Sequence, residues 1–202
     1  MLIAMRTPFP LFQNHLDVAH AYWRRVILPG DTVIDATCGN GHDTLVLALL
    51  ALTEKSGKVI ACDIQQQALM ASQKLLTEHL DPTLCARLQW VEGCHSHFSV
   101  DIAEKSVKVI AYNLGYLPGG NKNITTMTAT TIESIRSALS LVAPGGLITI
   151  TCYPGHKEGL VEQEKVVAFV QQLPPDRWSC CHHQWVNRDQ APSLIVIQSV
   201  NG

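Results

Sequence analysis

Four short stretches carry side chains able to do chemistry, and each follows an apolar run. Asp35-Ala36-Thr37-Cys38-Gly39-Asn40-Gly41-His42-Asp43 joins carboxylates to a glycine turn, and Asp63-Ile64-Gln65 sets another carboxylate beside a bare hydrophobic side chain. Asn113-Leu114-Gly115-Tyr116 offers an amide and a phenol at N-x-x-Y spacing, and Tyr153-Pro154-Gly155-His156 a phenol and an imidazole. An amide oxygen can accept a hydrogen bond from an amine, while a phenol or imidazole can orient that amine or relieve it of a proton. Carboxylates suit cations and hydroxyls. The set points to a cradle for a positively charged ligand beside groups able to donate or accept a proton.

The first stretch sits within Thr32 to Thr44, a buried strand (Val33, Ile34) ending in Asp35, then the glycine turn, then an apolar helix from Leu45 to Leu52 opened by Asp43 and Thr44. Glycines at 39 and 41 allow a sharp turn and close approach of a ligand, and the first helical N–H groups point back at it. A dinucleotide fingerprint needs a third glycine where Thr44 stands, and Asp35 would repel a pyrophosphate while suiting a cationic amino-acid group. Asp35-x-x-Cys38-Gly39-x-Gly41 therefore resembles the first motif of Rossmann-like methyltransferases, which bind S-adenosylmethionine. A tight turn with no ligand is the plainer alternative. Asp63 is placed to accept from both ribose hydroxyls of a nucleoside, with Ile64 against the adenine. A helix cap would use the same residue type, and an NAD site the same acid.

The run after the fourth strand resembles a variant of the Asn-Pro-Pro-Tyr loop of amino-group methyltransferases, with Leu114 and Gly115 in place of the prolines. There the Asn carbonyl accepts from the target amine and the aromatic ring, here Tyr116, stacks on the base. An ordinary turn with a packed tyrosine is the alternative. Tyr153 and His156 read as a pair able to move a proton, or as a packed tyrosine beside an exposed histidine.

The elements behind these loops follow from periodicity. Residues 14–28 have helical spacing through Leu16, Ala19 and Trp23. Strands are expected at 58–63, 87–92, 107–113 and 147–153, and helices at 65–79, 131–142 and 158–173. A weak helix is expected from 93 to about 104. Pro144-Gly145-Gly146 reads as a turn. Strands at 178–186 and 193–200, too close for an intervening helix, form an antiparallel hairpin. Alternating strands and helices mean an α/β fold, a seven-stranded and mostly parallel sheet with the antiparallel hairpin strand of Rossmann-like class I methyltransferases. Ligands of such sheets lie beyond the strands' carboxyl ends, where all four stretches converge.

With 202 residues, the chain is expected to form a single domain (1–202), residues 1–28 being an N-terminal extension and helix. No run is long enough to cross a bilayer, and the apolar start is broken by Arg6, Pro8 and Pro10, so the cytoplasm is expected and no membrane partner. The seven cysteines include no C-x-x-C pair, which suggests reduced thiols. Cys94-His95-x-His97 and Cys180-Cys181-His182-His183 lack zinc spacing, and no metal is expected. The net charge of −2 gives no positive support for a nucleic-acid partner, although Arg6, Arg24, Arg25, Lys122 and Lys157 could form a local patch.

Three segments taken together, DATCGNGHDT, YNLGYLPGGNK and YPGHKEG, resemble one family over nearly the whole chain, from about Leu28 to the final strand. It comprises S-adenosylmethionine-dependent tRNA methyltransferases long described as rRNA methylases, which methylate the 5-aminomethyl group of wobble 2-thiouridine. The resemblance implies a tRNA substrate and cofactor positions at Asp35, Thr37, Gly39, Asn40, Gly41, His42, Asp43, Asp63, Ile64, Gln65, His95 and Asn113. It implies chemistry at Asn113, Tyr116, Tyr153 and His156. Asp35 and Asp43 would hold the methionine ammonium, directly or through water, and His156 would take up or relay the proton. After the third strand the family tends to show Asp-Gly-His where this chain has Gly93-Cys94-His95, which removes one adenine contact. An rRNA or small-molecule methyltransferase would share every cofactor residue. An NAD-dependent oxidoreductase and a non-catalytic binding module on this scaffold are the rivals from other classes. Oligomeric state stays open between monomer and homodimer.

Overall fold

Runs such as Val59-Ile60-Ala61-Cys62 and Val109-Ile110-Ala111-Tyr112 show no polar alternation because both faces of their sheet are covered. The computed structural model describes residues 12–98, 101–115 and 126–202. Its strands are β1 (Thr32–Asp35), β2 (Lys58–Asp63), β3 (Leu88–Glu92), β4 (Val107–Asn113), β5 (Val142–Cys152), β6 (Trp178–His183) and β7 (Ser193–Ser199). They form one sheet in the order β3-β2-β1-β4-β5-β7-β6. The first five strands are parallel, and β7 runs antiparallel to both β5 and β6, as the hairpin reading expects.

Six helices accompany the strands among the described residues: α1 (His15–Val26), α2 (His42–Ala51), α3 (Gln66–His79), α4 (Pro82–Cys85), α5 (Thr128–Leu141) and α6 (Lys157–Val170). Val33, Leu47, Val59, Leu76 and Trp23 pack one face of the sheet with α1, α2 and α3. Ile34, Ile60, Ile110, Ile135, Ile148 and Val166 pack the other with α5 and α6. Burying each such aliphatic side chain is worth roughly 1.5–3 kcal/mol, so the sheet is a stiff platform for the loops at its end. Among the described residues, no helix is long and apolar enough to cross a membrane.

Two expectations are corrected. The described residues between β3 and β4 form turns, not a weak helix. Their backbone is tied instead to the end of α5, through Lys105 N to Ser140 O and Ser106 N to Leu141 O. Pro144-Gly145-Gly146 does not precede the fifth strand but lies inside it. Val142 already pairs with Val107, Gly145 takes a φ of 66°, and the register slips before Val109 meets Leu147. The short α4, opened by Pro82, has no counterpart in the sequence reading.

Candidate active site

The turn after β1 is built from the inside. Asp35 is 1% exposed, and its carboxylate accepts from Thr44 Oγ1 at 2.6 Å and from Thr37 N at 3.2 Å. Burial, reinforced by the charge of Asp43, raises its pKa to about 7. Direct contact with a ligand ammonium is therefore not what Asp35 provides. It braces the turn from below, which corrects the direct form of that expectation. Gly41 is the N-cap of α2 with φ 85°, and a Cβ there would meet Ser72 of α3 at 2.8–3.0 Å. The glycine is demanded by helix packing as well as by the turn. Ser72 Oγ donates to Gly39 O at 2.8 Å, fixing the turn against α3. Asn40 and His42 stand at its rim, half-buried and exposed.

Asp63 ends β2 half-buried, with one oxygen accepting from Gly39 N at 3.0 Å and the other from Gln65 N at 2.9 Å. Gln65, not Asp63, occupies the cap position of α3, so the helix-cap alternative fails. A carboxylate has about four acceptor sites, and two remain open on Asp63 for a ribose diol. Ile64 beside it is 60% exposed, an apolar surface at the strand end on which a nucleobase can lie. His95, after β3, is held through its carbonyl by Ser134 Oγ at 2.6 Å, and Ser134 accepts in turn from Tyr112 at 2.8 Å. Its ring Nε2 is buried with no hydrogen-bond partner among the described residues, and burial lowers its pKa to about 4. Such an unpaired group costs about 1–3 kcal/mol. That unspent atom, the open acceptors of Asp63 and bare Ile64 fit a nucleoside.

The ends of β4 and β5 carry the second half. Asn113 N donates to Thr37 Oγ1 at 2.7 Å, which links the β4 loop to the β1 turn. Asn113 Nδ2 donates to Asp43 Oδ2 at 3.3 Å. With Nδ2 turned toward Asp43, Oδ1 is the amide's acceptor for a substrate. Burial first, and then Asp43, raise the Tyr153 hydroxyl to about 12, so it is a phenol at neutral pH.

Two members of this assembly come from α1 and were not read from the sequence. His20 Nε2 lies 2.7 Å from Asp43 Oδ1, and His15 Nε2 lies 3.2 Å from the Tyr153 hydroxyl. The side chain of Asn14 caps α1 by accepting from Asp17 N, and Trp23 Nε1 donates to Thr149 Oγ1 at 3.1 Å, seating the helix on β5. No local pattern marked them: histidines on the polar side of a helix whose apolar positions already explain its packing read as surface residues.

His156 departs from expectation. It is the N-cap of α6, its Nδ1 accepting from Gly159 N at 3.1 Å. Nδ1 cannot also donate to the exposed Glu158 at 3.4 Å in the same state, and the shorter amide contact sets the tautomer. With its acceptor nitrogen committed to the helix, His156 is corrected from proton acceptor to cap. Tyr116 lies outside the described residues. The flanks of its loop are clamped: Gly115 N donates to Thr126 Oγ1, while Glu162, 3% exposed on α6, accepts from Thr126 and Thr131. Glu162 also escaped the sequence reading, although its place in the buried stripe Gly159, Val166, Val170 marks it as inward. All seven cysteines are free, with Cys94, Cys180 and Cys181 exposed. Among the described residues, no group of three or more His, Cys, Asp or Glu side chains could hold a metal ion.

Strand order, reversed β7 and the pair of loop-end carboxylates define an S-adenosylmethionine-dependent methyltransferase of the Rossmann-like class I fold. Residues 59–199 match the family described as "Putative rRNA methylase", and the chain belongs to that family. It is 42% identical over 185 residues to the chloroplastic tRNA (mnm(5)s(2)U34)-methyltransferase of Arabidopsis thaliana, covering 90% of this chain and 68% of that protein. Among solved structures, a protein from Clostridium thermocellum described as a "putative rRNA-methylase" superposes with a TM-score of 0.86 at 34% identity, over 94% of this chain and 99% of that one. A Streptococcus mutans methyltransferase in complex with S-adenosylhomocysteine gives 0.81 at 29% identity, over the same shares of the two chains.

Proposed function

We propose that this protein methylates the 5-aminomethyl group of 2-thiouridine at the wobble position of tRNA, giving 5-methylaminomethyl-2-thiouridine. The observation that carries the reading is Asn113. Its Nδ2 donates to Asp43 Oδ2 in the turn after β1, so its oxygen is the group to meet an N–H donor at the edge of the cofactor cleft. The Arabidopsis relative, named for that same modified nucleotide, supports the choice of amine.

S-adenosylmethionine, when bound, supplies an electrophilic methyl on a cationic sulfur. The chain's own residues do the positioning. Asp63 accepts from the ribose, Ile64 lies against the adenine, and His95 Nε2 finds its partner on that side. The backbone of Gly39 to His42 and the remaining acceptors of Asp43 receive the amino-acid end, with Asp35, Thr37 and Gln65 bracing the loops. Asn113 Oδ1 orients the amine within about 3–3.5 Å of the methyl on one axis, which is where most of the rate comes from in such a displacement. Tyr116 is proposed to pack on the base. Seven free thiols, three of them exposed, support a reducing compartment such as the cytoplasm.

The test is direct. Incubated with S-adenosylmethionine and tRNA bearing the unmethylated aminomethyl nucleoside, the purified protein should add one methyl to that nucleoside, read by mass spectrometry of the digested tRNA. Tight binding of S-adenosylhomocysteine with no methyl gained on that tRNA would keep the cofactor reading and remove the substrate.

A further inference from the structure

We propose that His15, the first residue of α1, is the proton acceptor for the substrate amine, acting through the Tyr153 hydroxyl. The inference rests on the reading above that the substrate is a primary aliphatic amine. Such an amine titrates near ~10.4 in water, so at neutral pH it arrives as an ammonium without a lone pair. Its proton must leave before a C–N bond can form.

His156 cannot take it, because its accepting nitrogen caps α6. Tyr153 cannot keep it, because a phenol gains a proton only as it gives up its own. The geometry provides for that exchange. The Tyr153 hydroxyl lies 3.2 Å from His15 Nε2; with the neutral ring protonated at Nδ1 it donates its O–H there and keeps acceptor sites on its oxygen for the amine. The two rings meet edge to face at 5.4 Å. Burial lowers the pKa of His15 against the opposing pull of Asp43 and Asp17, so the ring is neutral and open to a proton at pH 7. Among the described residues, these are the charged groups that act on it. Asp43 comes from α2, Asp17 from its own helix and Tyr153 from the end of β5, while β7, also packed on α1, contributes no charge. His183 on β6 faces Tyr22 instead.

The ammonium passes a proton to the Tyr153 oxygen while Tyr153 passes its own to His15 Nε2. The amine gains its lone pair, His15 becomes cationic and the tyrosine ends as it began. The lone pair then forms the C–N bond as the S–CH3 bond breaks, its electrons staying on sulfur, so a secondary ammonium and a neutral thioether result. His15, only half-buried, returns its proton to water.

His15→Gln keeps an acceptor for Tyr153 but does not titrate. With aminomethyl-thiouridine tRNA, its kcat at pH 7 should fall by roughly 10²-fold or more, the usual share of a general base. KM for both substrates should stay within about 2-fold if the relay acts on the chemical step alone. The variant's kcat should climb about tenfold per pH unit between about pH 6 and 9, as water takes over the deprotonation. The wild type should be level over the upper part of that range. Tyr153→Phe should show the same slope, and the double variant should be no slower than the slower single one. A His15→Gln enzyme with wild-type rate and profile overturns the relay. If that variant does not fold, the Tyr153→Phe profile decides, and a level profile there overturns it equally. A wild-type protein that binds S-adenosylhomocysteine yet methylates no aminomethyl tRNA refutes the substrate reading and the relay with it.

Discussion

At the ends of β1 and β2 the site is held mostly by backbone, while at the ends of β4 and β5 it is held by side chains far apart in the chain. Asp63 is fixed by the amides of Gly39 and Gln65, 24 and 2 residues away. Asn113 reaches Asp43 across 70 residues, and Tyr153 reaches His15 across 138. Backbone donors tolerate many neighbouring sequences and make a cofactor cradle that whole fold classes can share. A side-chain relay depends on every member and can be specialised for one substrate. Nucleoside binding and amine chemistry should therefore be separable by mutation.

The largest effect expected falls on the relay half. Asn113→Ala should lower kcat by roughly 10²–10³-fold, the cost of removing one positioned polar group in a catalytic site. Calorimetry should find S-adenosylhomocysteine affinity near that of the wild type. Equal losses in both quantities would erase the division. Asp63→Ala should do the reverse, weakening S-adenosylhomocysteine binding by roughly 10- to 150-fold for the loss of about 1.5–3 kcal/mol in charge-assisted bonds. Its kcat at saturating cofactor should largely survive.

Asp35 sharpens the contrast through pH. Its pKa is raised from 3.8 to about 7, so between those values the native chain holds a proton that the unfolded chain has lost. Its contribution to stability is full below pH 3.8 and disappears as pH climbs through about 7. Each tenfold difference in proton affinity is worth about 1.4 kcal/mol. Asp35→Asn should flatten the decline in melting temperature of the ligand-free protein from pH 5 to 8, and a variant that declines as steeply as the wild type would relocate the titration. The smallest effect belongs to His156→Ala. Loss of a cap costs about 1 kcal/mol, or roughly 2–4 °C in Tm for a chain of this size. Methyl transfer at low temperature should stay within about 3-fold, because a lost cap weakens the fold without touching the reacting atoms. A loss of about 10²-fold, the size expected of a general base, would return His156 to the chemistry.

The same division explains what could be read in advance. Val33-Ile34-Asp35 and Val59 to Asp63 announce buried strands ending in acids, and a glycine turn between strand and helix is a local pattern. The mostly parallel sheet and its antiparallel terminal hairpin were legible for that reason. His15 and His20 were not, because nothing within α1 states that its polar side will lie against Asp43 and Tyr153. His156 was misread through proximity. A side chain beside a site in sequence was given its chemistry, while the first free amides of α6 had the stronger claim on its nitrogen. The expected helix between β3 and β4 was misjudged likewise, since the amides of Lys105 and Ser106 just after it are held by carbonyls at the end of α5 and no local propensity reports that.

The anchoring of α1 has a consequence for how the molecule is made. Trp23 waits for Thr149, 126 residues further along, and His15 waits for Tyr153. On the ribosome the earliest helix of the fold is thus among the last to be seated, and loop closure over such distances is slow. Until β5 has emerged and docked, the proposed relay between His15 and Tyr153 cannot be assembled, so competence for it arrives late in synthesis.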